Sequence, residues 1–417
     1  MAMIPRTLTA PVIQALGRAP VVFVNGPRQA GKSTLVNAIA RKAWPARYVT
    51  LDDPTTMLAV RNNPETFLRL NDGPLIVDEV QLAPALFRAL KLIVDEGRAG
   101  ARKGRAAGRY LLTGSANIMV LPDLADALVG RMAVLTLYPL SATEVARAPG
   151  LFLPALLNNG FAPNTERAPD RLVDMMRRAT FPEITGTNDK ARRAWFDDYI
   201  ATLLQRDVRQ IADIERLALL PNLLRLIASR AGGLINEADL ARSLGINAVT
   251  AKSYRVLLNM MFLTFEVRPW FRNVGKRLVK SPKSYFTDTA MLCHLLHVDL
   301  KAAAERDPPL FGRVLENFVA SELTKQLSHG HDRAQLLHYR TSDGQEVDFV
   351  IERSNGEIAA IEVKTRDNID ANDFKVIADL RDRAGKDFIC GVVLYRGRNV
   401  VPFGDRLWAV PIAQLWA

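Results

Sequence analysis

A lysine, a hydroxyl and two carboxylates, each set at the end of an apolar run, are the first chemistry this sequence offers. In VVFVNGPRQAGKST, Gly26 and Gly31 bracket four residues, and Lys32 and Ser33 follow at once. The loop Gly26, Pro27, Arg28, Gln29, Ala30, Gly31, Lys32, Ser33, Thr34 matches the phosphate-cradling P-loop pattern. Gly31 lets backbone N–H groups wrap round an anionic phosphate, and a helix opening at Lys32 points its positive end at the same place. Lys32 is expected to reach the β- and γ-phosphates of ATP, and Ser33 to offer its hydroxyl to Mg²⁺. Downstream, Pro74-Leu75-Ile76-Val77-Asp78-Glu79 is an apolar run closing on two acids. Asp78 would hold Mg²⁺, directly or through water, and Glu79 would polarise the attacking water. An Asp-Glu pair after an apolar run is a weak signal alone. After a P-loop it is a strong one, because both strands would deliver residues to the carboxyl edge of one parallel sheet.

The elements that must position these groups are legible around them. Val21 to Val24 is a continuous apolar run, as for a strand covered on both faces. Met3 to Leu16 reads as a short lead-in helix, with Arg6 an exposed or nucleotide-proximal base. RYVTL, residues 47–51, reads as a second strand, and Asp52-Asp53-Pro54 as a turn with a helix cap. Pro84 to Val94 carries Leu86, Leu90 and Ile93 on one helical stripe. The Gly/Ala/Arg-rich segment 98–109 reads as a basic loop. Tyr110 to Ser115 is a further strand; its polar end resembles the place where related ATPases carry the sensor of the γ-phosphate, Ser115 or alternatively Thr113, a strand-end cap being the other reading.

The motifs GPRQAGKST, LIVDEVQ, YLLTGSAN and DALVGRMAVLTLYPLSATE resemble the large family of prokaryotic AAA+ ATPases with an uncharacterised C-terminal half. The resemblance covers nearly the whole chain. It implies an α/β fold: a P-loop AAA+ core over residues 1–140, with a parallel sheet, and a helical lid over 141–218. It also implies a homo-oligomer, a hexameric ring, in which a trans arginine stabilises charge on the transferring phosphoryl group. Arg131 is the candidate for contacting nucleotide in its own or a neighbouring subunit, with a structural ion pair as the other reading. Arg206, on the strongly helical WFDDYIATLLQRDVR, is a second candidate. Tyr199 and Asp207 on the same stretch match polar family positions without an assigned role. Pro149 to Pro169 is proline-broken and reads as a loop-rich insertion.

Residues 219–283 have the rhythm of a helix-turn-helix, ADLARSLGINAVTAKSYRVLLNMMFL, followed by an apolar strand, and resemble a winged helix. In that geometry Thr250, Lys252, Ser253 and Arg255 lie on the second helix, where DNA contacts would be made; protein docking is the other use of the module. Arg272, Lys276, Arg277, Lys280 and Lys283 follow along an extended segment, as a phosphate-tracking strip or a solvated edge.

Residues 284–417 hold Glu316 on a helical stretch, Asp348 in QEVDFVI and Glu362 with Lys364 in AAIEVKTR. A helical Glu, a strand Asp and a strand Glu-x-Lys resemble the restriction-endonuclease-like, PD-(D/E)xK, fold, with Val347 where the usual Pro would stand. Glu362 and Lys364, two apart, share one strand face. Asp348 and Glu362 would bind Mg²⁺ while Lys364 activates water against a phosphodiester; the other reading keeps the fold and satisfies the charges by mutual ion pairs.

Composition bounds the rest. The chain of 417 residues is 48% hydrophobic, with a net charge of +11, and has room for several cores. No apolar run approaches bilayer length and MAMIPRTLTA lacks a signal-peptide core, so no membrane partner and a cytoplasmic place are expected. Cys293 and Cys390 cannot build a disulfide framework, and the five histidines show no metal-ligand spacing; His294 and His297 read as core. The basic balance favours a polyanionic partner, DNA. Three functions follow: an ATP-driven motor that binds and remodels DNA, an ATP-regulated nuclease using Asp348, Glu362 and Lys364, or a nucleotide-switched regulatory protein.

Overall fold

A computed structural model describes residues 3–100, 107–115, 130–163, 171–207, 217–273, 275, 277, 280–329 and 334–417. Contacts divide the chain into two compact units, Met1–Pro139 with Met260–Phe262, and Leu140–Asn259 with Leu263–Ala417.

The first unit is built on five parallel strands, β1 (Val21–Asn25), β2 (Arg47–Thr50), β3 (Leu75–Asp78), β4 (Tyr110–Gly114) and β5 (Met132–Thr136), in the order β2-β3-β4-β1-β5. Every residue of β1, β3 and β4 is buried, which accounts for their unbroken apolar runs. The helices Thr9–Leu16 and Lys32–Lys42 place Val12, Leu16, Leu35, Val36 and Ile39 against Val22, Val24, Ile76 and Leu111. Asp53 caps the helix Pro54–Asn62 through Thr56 N–H at 2.7 Å, as its sequence implied. The helix Ala85–Gly100 runs further than the stripe at 84–94 foretold; the middle of the basic loop, 101–106, lies outside the described residues.

The second unit is organised by an eight-stranded mixed sheet, adding β6 (Thr264–Pro269), β7 (Lys283–Phe286), β8 (Gln335–Arg340), β9 (Glu346–Glu352), β10 (Ile358–Val363), β11 (Phe388–Tyr395), β12 (Val401–Gly404) and β13 (Leu407–Pro411). Its order is β12-β13-β11-β10-β9-β8-β6-β7. The helix Pro308–His329 leads into the antiparallel β8, β9 and β10, and the helix Lys375–Ala384 crosses to β11, which runs parallel to β10. That crossover lies so close on β11 that a Cβ at Gly391 would sit 2.2 Å from Ile377, so only glycine fits. β6 pairs with β7 antiparallel and, through Arg268 and Pro269, with β8, so one sheet runs across the boundary expected at 283–284.

The segment expected as a lid also belongs to this unit. Ala142 N–H donates to Glu322 at 2.7 Å, Lys325 Nζ donates to Leu140 O at 3.1 Å and to Glu322 at 2.8 Å, and Phe161 lies against Trp408. The proline-broken stretch contains a helix, Phe152–Leu157, instead of loop alone; 164–170 are outside the described residues. Glu322 and Lys325 are almost wholly buried on the long helix, which therefore ties residues 140–142 to the same framework as the sheet.

Candidate functional site

Because β1, β3 and β4 are parallel and in register, with Asn25 level with Gly114 and Leu75 level with Tyr110, their carboxyl ends open on one edge. Gly26 to Thr34, Asp78, Glu79 and Ser115 all follow those ends. Gly26 has φ +144°, and a Cβ there would fall 2.1 Å from Leu137 O; Gly31 is left-handed at φ +93° immediately before the helix of Lys32 and Ser33. The loop is closed from outside by Arg6, whose guanidinium donates to Ala30 O at 2.6 Å and Tyr138 O at 2.5 Å. Arg6 is thus a strut of the cradle. Lys32 is 4% exposed and its Nζ donates to Gly26 O at 3.0 Å and Pro27 O at 2.9 Å, inside the loop it is meant to serve.

Asp78 is fixed by two hydroxyls that sequence reasoning did not assign to it. Tyr48 OH donates to Oδ2 at 2.5 Å and Thr113 Oγ1 donates to Oδ1. Burial, then Asp78, raises the Tyr48 phenol, while Ser33 and Asn37 pull it back. The Ser33 hydroxyl and the Asp78 carboxylate, both at this edge of the sheet, are hard-oxygen donors of the kind that fit Mg²⁺. Glu79 stands in a left-handed conformation, φ 59° and ψ 43°, unusual for a side-chain-bearing residue. Gln81 donates to Glu79 Oε2 and, at 2.9 Å, to Ser115 Oγ, while Ser115 N–H donates to Gln81 Oε1 at 3.3 Å. Gln81 therefore joins the expected water-polarising carboxylate to the expected sensor. Its presence two residues after Glu79 was the available signal.

For Arg131 the structure corrects the reading of a nucleotide contact within its own chain and shows the ion pair. It precedes β5, and Val21 N–H bonds to its carbonyl at 3.3 Å, so it sits at the amino edge of the sheet, opposite the P-loop of its own chain. Its Nε and Nη2 are engaged by Asp95 at 2.6 and 2.9 Å. The side chains of Arg206 and Asp207 lie outside the described residues.

In the second unit the four nuclease candidates are drawn together from three elements. Val363 N–H donates to Asp348 Oδ2 at 2.8 Å, Asp348 N–H to Glu362 Oε2 at 3.3 Å, and Lys364 Nζ to Glu362 Oε1 at 2.8 Å. Glu316 accepts from Lys283 Nζ at 3.1 Å and Tyr285 OH at 2.6 Å. Burial, then Glu362 and Glu316, lifts the Asp348 carboxyl well above its ordinary range, and burial lifts Glu362 against the pull of Lys364. Burial opposes the charge on Lys283, yet Glu316, Asp348 and Glu346 together hold its pKa up. Among the described residues no three His, Cys, Asp or Glu side chains form a group able to hold a metal.

Three DNA candidates are overturned. Arg255, 6% exposed, is clasped by Glu237 at 2.6 Å and by Glu266; Arg277, 9% exposed, is clasped by Glu352 at 2.7 Å. Buried ion pairs leave neither for a phosphate. Lys283 is likewise buried beneath Glu316. Lys252 and Lys280 are exposed, Thr250 half-buried, and Lys276 lies outside the described residues. The helices Glu237–Leu244 and Ala248–Met260 precede the β6–β7 hairpin, and Leu234 bridges to Lys283. Both cysteines are buried and free. No helix among the described residues is long and apolar enough to cross a membrane.

Comparison with known proteins follows these divisions. Residues 18–146 match the model of an AAA domain, and residues 169–328 and 311–415 match two domains of unknown function, DUF8612 and DUF4143. The uncharacterised protein Rv2008c of Mycobacterium tuberculosis is 31% identical over 414 residues, covering 98% of this chain and 84% of its own. An uncharacterised protein of Haemophilus influenzae is 22% identical over 288 residues, covering 67% of this chain and 65% of its own. A Walker-type ATPase of Pyrococcus abyssi aligns in structure over 70% of this chain and 96% of its own, at 13% identity and a TM-score of 0.43.

Proposed function

We propose a function from the premise that this chain belongs to the family of Mycobacterium tuberculosis Rv2008c and carries an AAA-type P-loop ATPase domain over residues 18–146. The reading is Mg²⁺-dependent hydrolysis of ATP that drives action on DNA. One observation carries it: the P-loop, Asp78 and Glu79 open on one sheet edge, with Tyr48 and Thr113 bonded to Asp78. The loop's N–H groups and Lys32 bind and orient the phosphates, which requires Lys32 Nζ to exchange Gly26 O and Pro27 O for phosphate oxygens. Mg²⁺, when bound, would neutralise charge developing between the β- and γ-phosphates; Ser33 and Asp78 would hold it. Glu79, aimed by Gln81, polarises water, and Ser115 reports the γ-phosphate through the same carboxamide.

DNA as the partner is supported by the net charge of +11 and by the winged-helix order of two helices and a hairpin, with Lys252, Ser253 and Lys280 exposed. The test is ATP turnover with single-stranded, duplex and branched DNA in parallel, on wild type and Lys32→Ala. Stimulation by one DNA form, lost in Lys32→Ala, is expected, with binding that weakens steeply as salt rises. Turnover indifferent to all three forms would favour the nucleotide-switched regulator. The proposal includes self-assembly into a ring, checked by sedimentation velocity with and without ATP; a monomer under both conditions removes it.

A second reading, cutting of DNA by Asp348, Glu362 and Lys364, is supported by their convergence on adjoining strands in a helix–three strands–helix–strand order like that of restriction endonucleases. Against it stand the ion pairs that already occupy Glu362 and Glu316. Mg²⁺-dependent cleavage that disappears in Asp348→Ala would establish it.

A further inference from the structure

A cavity of about 240 Å³ lies within the second unit, between the helices Asp189–Thr202 and Thr289–Leu295 and the opening of Leu300–Arg306. None of the residues assigned above to ATP, DNA or the carboxylate cluster lines it. Its inner wall is positive. Arg192, 8% exposed, shares the single carboxylate of Asp189 with Arg177. Arg192 Nη2 donates to Thr187 O at 3.3 Å, but its solvent-shielded Nε has no hydrogen-bond partner among the described residues. Burial first, and then Arg177, pushes this guanidinium's pKa down, so the fold under-compensates its charge.

The other carboxylates of the lining, Asp197 and Asp299, are each hydrogen-bonded. Asp197 pairs with His294 Nε2 at 3.1 Å, and Asp299 caps the next helix by accepting from Lys301 N–H and Ala302 N–H at 2.9 Å each. At the rim, Arg193 and Lys301 are exposed and have no ion-pair partner among the described residues. Phe196 and His294 stack with centroids 5.5 Å apart and 29° between their planes; Phe196 is fully buried, so the imidazole is the ring of the pair that reaches the cavity. Cys293, whose thiol burial pushes up to about 12, is a neutral wall group here.

We propose that this cavity binds a small organic phosphate, its phosphate between the Arg177–Arg192 pair and the rim cations Arg193 and Lys301, and its organic part against the His294 imidazole. Guanidinium forks match phosphate oxygens, and a dianion supplies the charge that one shared carboxylate lacks. The volume falls below the usual range for ligand pockets, which selects a phosphorylated monomer over a polymer.

The test uses the full chain carrying Lys32→Ala, so that the P-loop is not the binder, titrated calorimetrically with AMP and with inorganic phosphate. One AMP per chain is expected, with inorganic phosphate competing more weakly. Adding Arg193→Glu and Lys301→Glu, both exposed and so harmless to folding, should weaken AMP binding at least about tenfold with an unchanged thermal melt. Arg192→Gln should do the same, and should it fail to fold, the rim pair still decides. Binding of neither probe to the Lys32→Ala chain, or an affinity unmoved by the rim reversal, overturns the proposal. Hydrolysis by the wild type is scored separately, so either reading can fail alone.

Discussion

Two regions of this molecule bury charge, and they settle it differently. At the sheet edge of the first unit, Lys32 rests on two main-chain carbonyls and Asp78 on two hydroxyls. In the second unit ammonium meets carboxylate directly, in Lys325–Glu322, Lys283–Glu316 and Lys364–Glu362. Neutral partners position a charge while leaving its field to act on a ligand; opposite charges spend that field on each other. Asp348 is the exception in the second unit. Its named hydrogen-bond partner is a backbone N–H, and its pKa is raised by burial first and then by the acids around it.

The largest effect that would sharpen the contrast is on stability. Lys325→Met leaves Glu322 buried with its ammonium gone and should cost about 3–5 kcal/mol in urea unfolding. Adding Glu322→Gln should recover much of that, and a single substitution without measurable cost would break the comparison. Next comes Glu79→Gln, which should lower ATP turnover by about 10²-fold while ATP still binds; Asp348→Ala should leave basal turnover within about twofold. A smaller effect of opposite sign is expected of Asp348→Asn. Where burial raises a carboxyl's pKa, the unfolded chain releases its proton first, so folding is penalised as pH climbs past the ordinary value of 3.8. The variant should therefore melt higher than wild type at neutral pH and equal it below that value. The smallest is Arg131→Ala, which breaks a part-exposed ion pair at the far edge of the sheet and should leave the urea midpoint nearly unchanged. If it abolished turnover instead, the placement of Arg131 away from chemistry would be wrong.

How much was legible divides along the same line. The P-loop and the Asp78-Glu79 pair are runs of consecutive residues whose local structure follows from glycine freedom and apolar runs, so sequence carries them. Tyr48 was missed because its role depends on β2 lying beside β3, level with Ile76, and strand adjacency is not written locally. Arg255 was misjudged although a signal existed: it shares the helical face of Ala251, Tyr254 and Leu258, all buried, and so had to find carboxylates inside. The boundary at 283 failed because the apolar strand after the two helices reads as the close of a local unit, while the bonds that join β6 to β8 connect residues some seventy apart in the chain. His294, read as core, does stack on Phe196, but its imidazole also lines a cavity.

The left-handed turn at Glu79 carries a consequence of its own. A non-glycine residue in that conformation costs about 1–2 kcal/mol, which Glu79→Gly would return to the folded state. Heat resistance and turnover are thus set against each other at one position. A population screened only for survival at high temperature should discard this glutamate early, and the variants so recovered would be sturdier proteins that no longer burn fuel.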